Sequence, residues 1–359
     1  MNSYQDELDR NNMLKIKEIL SELPIYVGDY FISRKTDTTT RTRLSYAYDL
    51  RRFFEWLKAA IPNLLDKSLK EIPIEVMQSV TARDIEEYTD YLQYDKENMN
   101  HRSGIARKLS ALSSFFDYLY RNDLIVGNPC DKVKKPKPDK DNRIIRLSPD
   151  EVARFLNAIE FGCAAFTPRQ QKYLETTKIR DLAIATLLLG TGIRVSECVG
   201  LNIRDLDFDR CLISVYRKGG KYQYIAMGDE VIEALQRYLL QRKEIIPAND
   251  ESADALFLSI QKTRICVQSI EDMIKKYAKA IGVSKVITPH KLRKTYGTEL
   301  YQNTGDIYLV ARALGHTSVN TTKNHYVTTD EESLINSRNV VKLRDKKKIR
   351  RNFPPYFLW

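Results

Sequence analysis

The chain has 359 residues, of which 43% are hydrophobic and 29% charged, enough apolar material for about two globular cores. Its net charge of +11 points to a polyanionic partner, most simply nucleic acid. No run approaches the roughly 20 apolar residues of a membrane span. The start, MNSYQDELDRNN, lacks the basic region and apolar stretch of a signal peptide, so a cytoplasmic protein with no membrane partner is expected. The five cysteines are scattered and never form a CxxC pair. They read as free, mostly buried thiols of a reducing compartment, not as disulfides or a zinc site.

Residues 1–28 read as an N-terminal helical extension, with apolar residues at helical spacing in NMLKIKEILSEL. A strong amphipathic helix is predicted over 39–61, with Leu44, Tyr48, Leu50, Phe54, Leu57 and Ile61 on its inward face. Its basic residues Arg41, Arg43, Arg51, Arg52 and Lys58 fall mostly elsewhere on the surface. Thr81 is placed to cap a helix over 81–94, with Asp84 three residues on. A further helix over 101–124 turns Ile105, Leu109, Leu112, Phe116 and Leu119 inward and clusters Arg102, Arg107 and Lys108 near its start. Residues 29–127 therefore read as an all-helical domain. The Pro- and Lys-rich stretch that follows has no apolar periodicity and reads as a basic linker over 128–146. Lys134, Lys135 and Lys137 lie within it. These arginines and lysines, Lys58 apart, are the candidate DNA contacts.

A second domain is expected over 147–335. It opens with Ser148, Pro149 and Glu151 in a capping-box pattern. KIRDLAIATLLLGTG (178–192) is apolar enough to be a buried helix, and 211–227 alternates around Gly219-Gly220 as a β-hairpin. The rest reads as mainly helical. The fold class is thus mainly α, with a small β-sheet in the second domain. A basic and aromatic tail, 336–359, ends in NFPPYFLW. No Gly-rich phosphate loop of the ATPase type is present in the sequence.

Five strings concentrate chemistry: TGIRVSE, YRKGGKY, TPHKLRKTYGTELY, ALGHTS and KNHYV. They hold Arg194, Lys218, His290, Arg293, His316 and Tyr326. Thr288 and Pro289 mark a helix start, which puts His290 and Arg293 on one helix face near an end that favours anions. Three of the chain's four histidines fall between 290 and 325. HExxH spacing is missing, and a neighbouring arginine would repel a cation, so phosphate is the better ligand than metal. Arg194 follows a glycine turn; its fork could pair with Glu197 or reach a phosphate. Lys218 sits at a hairpin tip, where it is either solvated or a mobile proton donor. Tyr326 needs help to attack at neutral pH. Two arginines, two histidines, a lysine and a tyrosine together support phosphoryl transfer without a metal or other cofactor.

In order and spacing these motifs resemble the tyrosine recombinases, the integrase family that includes phage integrases and Xer recombinases. KIRDLAIATLLLGTGIRVSE, YRKGGK and TPHKLR are most similar to the single-protein Xer enzymes of Gram-positive bacteria. The resemblance implies a two-domain clamp around duplex DNA, made of a helical core-binding domain and a catalytic domain over 147–335. It implies that Arg194, Arg293 and His316 hold the scissile phosphate, that His290 is the general base, and that Lys218 protonates the leaving 5′ oxygen. Tyr326 would be the nucleophile that forms a 3′-phosphotyrosyl bond. It also implies a homotetramer on two specific recombination sites, exchange through a Holliday junction, and a possible DNA translocase partner such as FtsK.

Tyr326 follows His316 by one residue more than is usual in the family. The aromatic C-terminal tip would suit docking into a neighbouring subunit. Within the resemblance, chromosome dimer resolution and integration or excision of a phage or conjugative element use the same chemistry. Outside it, relaxation by a type IB topoisomerase and non-catalytic DNA binding are the rival readings.

Overall fold

The computed structural model describes residues 3–94, 100–136, 145–217 and 221–315. The chain divides into two compact units, Met1–Asn142 and Arg143–Trp359. Among the described residues the first unit is all helical and the second adds a small sheet to its helices.

In the first unit α1 spans Ser3–Ser21, α2 Ile25–Ser33, α3 Thr40–Ala60, α4 Ile74–Ser79, α5 Ala82–Tyr94 and α6 Arg102–Arg121. Thr81 caps α5 as expected: its N–H and hydroxyl both donate to Asp84 at 2.7 Å. The five apolar residues foreseen on the inner face of α6 are all buried. They meet α3 in an aromatic centre where Phe53, Phe54, Phe115, Phe116 and Tyr88 are fully buried. Phe53 stands edge-on to Tyr88 at 5.2 Å and to Phe116 at 6.1 Å, contacts worth about 1 kcal/mol each beyond area burial.

Three expectations need correction here. Residues 1–28 are not an extension. Ile16, Ile19, Leu23, Tyr26 and Val27 enter the same core as α3 and α6, and α2 runs across the expected boundary. The apolar stripe of α1 is the cover that α3 requires on its outer side, and the two helices pack together. The buried face of α3 is also rotated: Ala47 and Phe53 lie inside with Leu50, Phe54 and Leu57, whereas Tyr48 is 51% exposed. Finally, the expected linker begins within the fold. Asn128 donates to Asp117 at 2.7 Å and accepts from the N–H of Cys130. A 3-10 turn over Pro129–Lys132 then seats Cys130 in the core.

The second unit opens with α7, Pro149–Phe161, behind the expected capping box of Ser148 and Glu151. Next come α8, Pro168–Thr191, and the short α9, Val195–Gly200. α8 starts ten residues earlier than its apolar run, because Thr167 and Gln170 build a second capping box in front of Pro168. Its C-terminal half is almost wholly buried, with Ala183, Ile184, Ala185, Leu187 and Leu188 at 0–1% exposure.

A three-stranded antiparallel sheet follows, ordered β1 (Leu206–Asp207), β2 (Leu212–Arg217), β3 (Lys221–Ala226). The hairpin of β2 and β3 is as read from sequence; the two-residue β1 is not. The pairing register sets Val215 opposite Gln223 and Arg217 opposite Lys221. The remaining helices are α10, Asp229–Lys243; α11, Val267–Ala280; α12, Pro289–Thr304; and α13, Ile307–Leu314.

The cysteines divide differently from expectation. Cys130 and Cys198 are buried, Cys163 is half-buried, and Cys211 and Cys266 are exposed. Burial pushes the Cys130 thiol up to about 12 and raises that of Cys198 as well. A hydrogen bond with the Ser269 hydroxyl, 3.2 Å away, lowers that of Cys266. Because the thiolate is the reactive form, Cys211 and Cys266 should react rapidly with a thiol reagent in native protein at pH 7.5. Cys130 and Cys198 should react only after unfolding. Mass mapping of the labelled sites over time checks this; early labelling of Cys130 would contradict the packing of the first unit.

Candidate active site

α8 ends on Gly192, whose left-handed conformation (φ 61°) closes the helix. A Cβ at Gly192 would lie 2.3 Å from the Tyr296 ring, so glycine is required there on two counts. Ile193 is then buried, and Arg194 takes the N-cap position of α9. The Arg194 backbone N–H donates to Glu197 Oε2 at 2.8 Å, and its Nη1 donates to Oε1 at 2.7 Å. Glu197 is buried and Arg194 is 43% exposed on its side chain, so the buried carboxylate holds a guanidinium whose other end faces solvent.

α12 starts at Pro289, with Thr288 at the N-cap position as read from sequence, although its side chain makes no capping bond. His290 in the first turn is exposed, while Arg293 one turn later is only 3% exposed. Arg293 Nη1 donates to the carbonyl of Gly192 at 2.5 Å, and Nη2 donates to the carbonyl of Leu314. Arg293 thus ties the end of α8, two residues before Arg194, to the end of α13.

Arg217, the last residue of β2, reaches the same place. It shares the inward face of the strand with Ile213 and Val215 and is 8% exposed. Its Nη2 donates to the carbonyl of Ala313 at 3.1 Å, its Nη1 donates to Gln223 Oε1 at 2.5 Å, and its Nε lies 3.6 Å from Glu197 Oε1. Gln223 Nε2 donates in turn to the carbonyl of Arg312 at 2.8 Å. Desolvation lowers the pKa of Arg217; Glu197 opposes that shift and Arg194 adds to it. Two guanidinium groups therefore share one carboxylate, and Arg293 is tied to the same α8–α9 turn through Gly192, an excess of positive charge in a partly dry setting that attracts an anion. Among the described residues no group of three or more His, Cys, Asp or Glu is placed to hold a metal ion.

Of the six residues singled out by sequence, Arg194 and Arg293 come together at the α8–α9 turn, with His290 one helical turn from Arg293. Lys218, His316 and Tyr326 lie outside the described residues. Arg217 and Gly315, which directly precede Lys218 and His316, stand within the cluster just described. Sequence reasoning missed Arg217 and Gln223. The alternation of the hairpin carried the signal, since Ile213, Val215 and Arg217 are two apart and share a face.

The candidate DNA contacts of the first unit fall into distinct settings. Arg41 and Arg102 are exposed, as are Lys134 and Lys135. Lys137 lies outside the described residues. Arg52 sits over the Tyr91 ring at 5.5 Å, and Arg51 pairs with Glu55 at 3.0 Å and Glu22 at 3.3 Å. Arg107 and Lys108 both bind Asp49, whose side chain is 2% exposed. Arg43 contradicts its reading as a surface cation: it is 9% exposed, and its Nε has no hydrogen-bond partner among the described residues. The rotation of α3 that exposes Tyr48 carries Arg43 inward. Arg51, Arg52, Tyr48, Glu55, Leu92, Asn100 and Lys108 line a shallow groove of about 480 Å³.

Comparison with known proteins bears on this arrangement. The sequence model of the phage integrase family matches residues 146–333, and that of the phage integrase N-terminal SAM-like domain matches 30–123. The tyrosine recombinase XerS of Streptococcus thermophilus is 31% identical over 355 residues, covering 90% of this chain and 98% of the relative. XerS of Streptococcus agalactiae is 32% identical over 346 residues, covering 89% and 96%. Among solved structures, the Tn1549 transposon integrase bound to circular intermediate DNA shares the fold with a TM-score of 0.64, at 24% identity over 87% of this chain and 97% of that one. XerH bound to a palindromic difH substrate, in a post-cleavage complex, also has a TM-score of 0.64, at 20% identity over 92% and 88%.

The Glu197 carboxylate has two guanidinium partners, one of them buried. Glu197→Gln keeps the shape and removes the charge, which leaves Arg217 buried without a counter-ion. The expected cost is about 3 kcal/mol, read as a lower thermal midpoint for the second unit. An unchanged midpoint would contradict the pairing.

Proposed function

We propose, for a chain that belongs to the phage integrase family of tyrosine recombinases, that it is a site-specific recombinase that cuts and rejoins duplex DNA, with chromosome dimer resolution as its task. One observation carries the reading most strongly: the similarity to XerS recombinases extends over nine-tenths of the chain and nearly their whole length. The cationic cluster around Glu197 supports a phosphodiester as the ligand.

In this reading the scissile phosphate sits against Arg194 and Arg293, whose forked donors suit non-bridging oxygens. His316 adds a hydrogen bond to the same group. His290, exposed at the start of α12, takes the proton from the Tyr326 hydroxyl as the oxygen attacks phosphorus. The bond from phosphorus to the 5′ oxygen breaks, and Lys218 gives that oxygen a proton. The DNA is left with a 3′-phosphotyrosyl bond and a 5′-hydroxyl. Because one phosphodiester is exchanged for another, rejoining is the reverse of cleavage and draws on no nucleotide energy. The donors stabilise the charge that develops on the phosphate oxygens in the transition state, where such groups contribute most.

The helical first unit and the catalytic unit would both contact duplex DNA. Four protomers on two sites would exchange strands through a Holliday junction in the cytoplasm, with a DNA translocase such as FtsK as a candidate partner. Arg41, Arg102, Lys134 and Lys135, all exposed, are the favoured backbone contacts of the first unit and its linker.

Two outcomes follow. A nicked suicide duplex carrying the recombination site, mapped from the host chromosome, should trap a denaturant-resistant adduct. Tyr326→Phe should abolish the adduct, and Arg293→Ala should slow its formation on the order of 100-fold; no adduct with the unsubstituted protein would sink the reading. A site near the replication terminus supports dimer resolution, and one at the ends of a mobile element overturns it. Separately, Arg41→Ala should reduce the slope of log affinity against log salt by about 1. Arg43→Ala should leave that slope unchanged, because Arg43 is buried; measurement of binding across a salt series checks both.

A further inference from the structure

We infer that Arg217 is a positioning residue that aligns the proposed proton donor Lys218 with the phosphate-holding groups, by fastening the base of the hairpin to the end of α13. The inference rests on the assignment of Lys218 as general acid.

Four observations carry it. First, Arg217 and Lys221 form the last pair of the β2–β3 ladder, and Lys218 is the next residue in the chain. Arg217 is therefore the last side chain before Lys218 that is locked by packing and hydrogen bonds. Second, its guanidinium bonds to three different segments. It donates to Ala313 at the end of α13, donates to Gln223 across the hairpin, and stands 3.6 Å from Glu197, the partner of Arg194. Third, Gln223 repeats the connection by donating to the carbonyl of Arg312, so two adjacent carbonyls of α13 are bound by the hairpin. Fourth, Gly315 is shaped around the contact. It is left-handed (φ 61°), and a Cβ there would lie 1.6 Å from Arg217 Nη1. His316 follows directly. One buried guanidinium thus touches the segments that lead to Lys218 and His316 and, through Glu197, the arginine at the mouth of the site.

A wholly structural arginine would be a simpler account, and the chemistry of the leaving group separates the two. Departure of the 5′ oxygen needs a proton from Lys218, which is left neutral; a 5′ sulfur departs as thiolate without one. A defect in placing Lys218 is therefore rescued by sulfur, and a general loss of fold or of phosphate binding is not.

The test is single-turnover cleavage of the nicked suicide site by the full-length protein, with oxygen or sulfur at the 5′ bridging position. Arg217→Gln should lose cleavage of the oxygen substrate on the order of 100-fold. With the sulfur substrate it should return to within roughly 3-fold of the unsubstituted protein. Gln223→Ala leaves the guanidinium in place and should show about a 10-fold loss with the same rescue. Equal losses on both substrates, or no loss on either, overturn the inference. If Arg217→Gln does not fold, Gln223→Ala decides by the same criterion. Lys218→Ala serves as the reference. If sulfur does not rescue it, the acid assignment itself fails and takes the inference with it. If sulfur rescues Lys218→Ala but not the other two, only the inference fails.

Discussion

A helix leaves its last carbonyl groups without partners inside the helix, and they form the negative end of its dipole. In α13 the carbonyls of Arg312, Ala313 and Leu314 receive donors from Gln223, Arg217 and Arg293. These three side chains come from both strands of the hairpin and from α12. Arg293 spends its other nitrogen on Gly192, at the corresponding end of α8. Two cations are thereby held where helix ends favour them, in surroundings dry enough to strengthen each bond. The catalytic unit is arranged around that junction. Arg194 leaves the α8 turn, the hairpin departs at Arg217, and the chain continues from Gly315 toward the proposed nucleophile.

The first unit uses charge differently. Its basic residues are numerous, but several are committed internally. Asp49 takes both Arg107 and Lys108, and Arg51 divides itself between Glu22 and Glu55. Exposed pairs of the Arg51 kind contribute only about 0–1 kcal/mol. The Asp49 cluster is a different case, because the carboxylate is buried and removing its cations would strand it without a partner. Net charge alone therefore overstates how many cations are offered to a polyanion. The effective surface is narrower, and Arg41 and the start of the linker at Lys134 and Lys135 are exposed parts of it.

Much of this was legible in the sequence because local signals and tertiary needs agreed. Caps such as Ser148 with Glu151 and Thr81 with Asp84 act within one turn, and they appear where their spacing put them. The apolar stripe of α6 faces the core as read. What escaped was decided at longer range. The N-terminal helices read as an extension because nothing local says that α3 needs covering on a second side. Arg43 read as exposed because a helical stripe fixes a face only to within a residue or two, and packing against α1 settles the rest. In the site, Arg194 and Arg293 stood out by type and context. Arg217 did not, although strand alternation already turned it inward, because a buried arginine makes sense only once the carbonyls it meets are known. The pairing of Arg194 with Glu197 and its reach toward a ligand seemed alternatives in sequence. In the structure the pairing holds the guanidinium while leaving it partly exposed.

The brevity of α13 has a consequence for how the enzyme comes into being. Eight residues are too few to stay helical in water unaided. Asp306 caps the start of α13 locally, but the carbonyls of Ala313 and Leu314 at its other end receive donors that the hairpin and α12 bring to it. It follows that α13 takes shape late, after the sheet and the long helices have docked. A nascent or partly unfolded protomer therefore lacks the junction that ties Arg293 to the end of α13. For a DNA recombinase, this ties activity to the completion of folding.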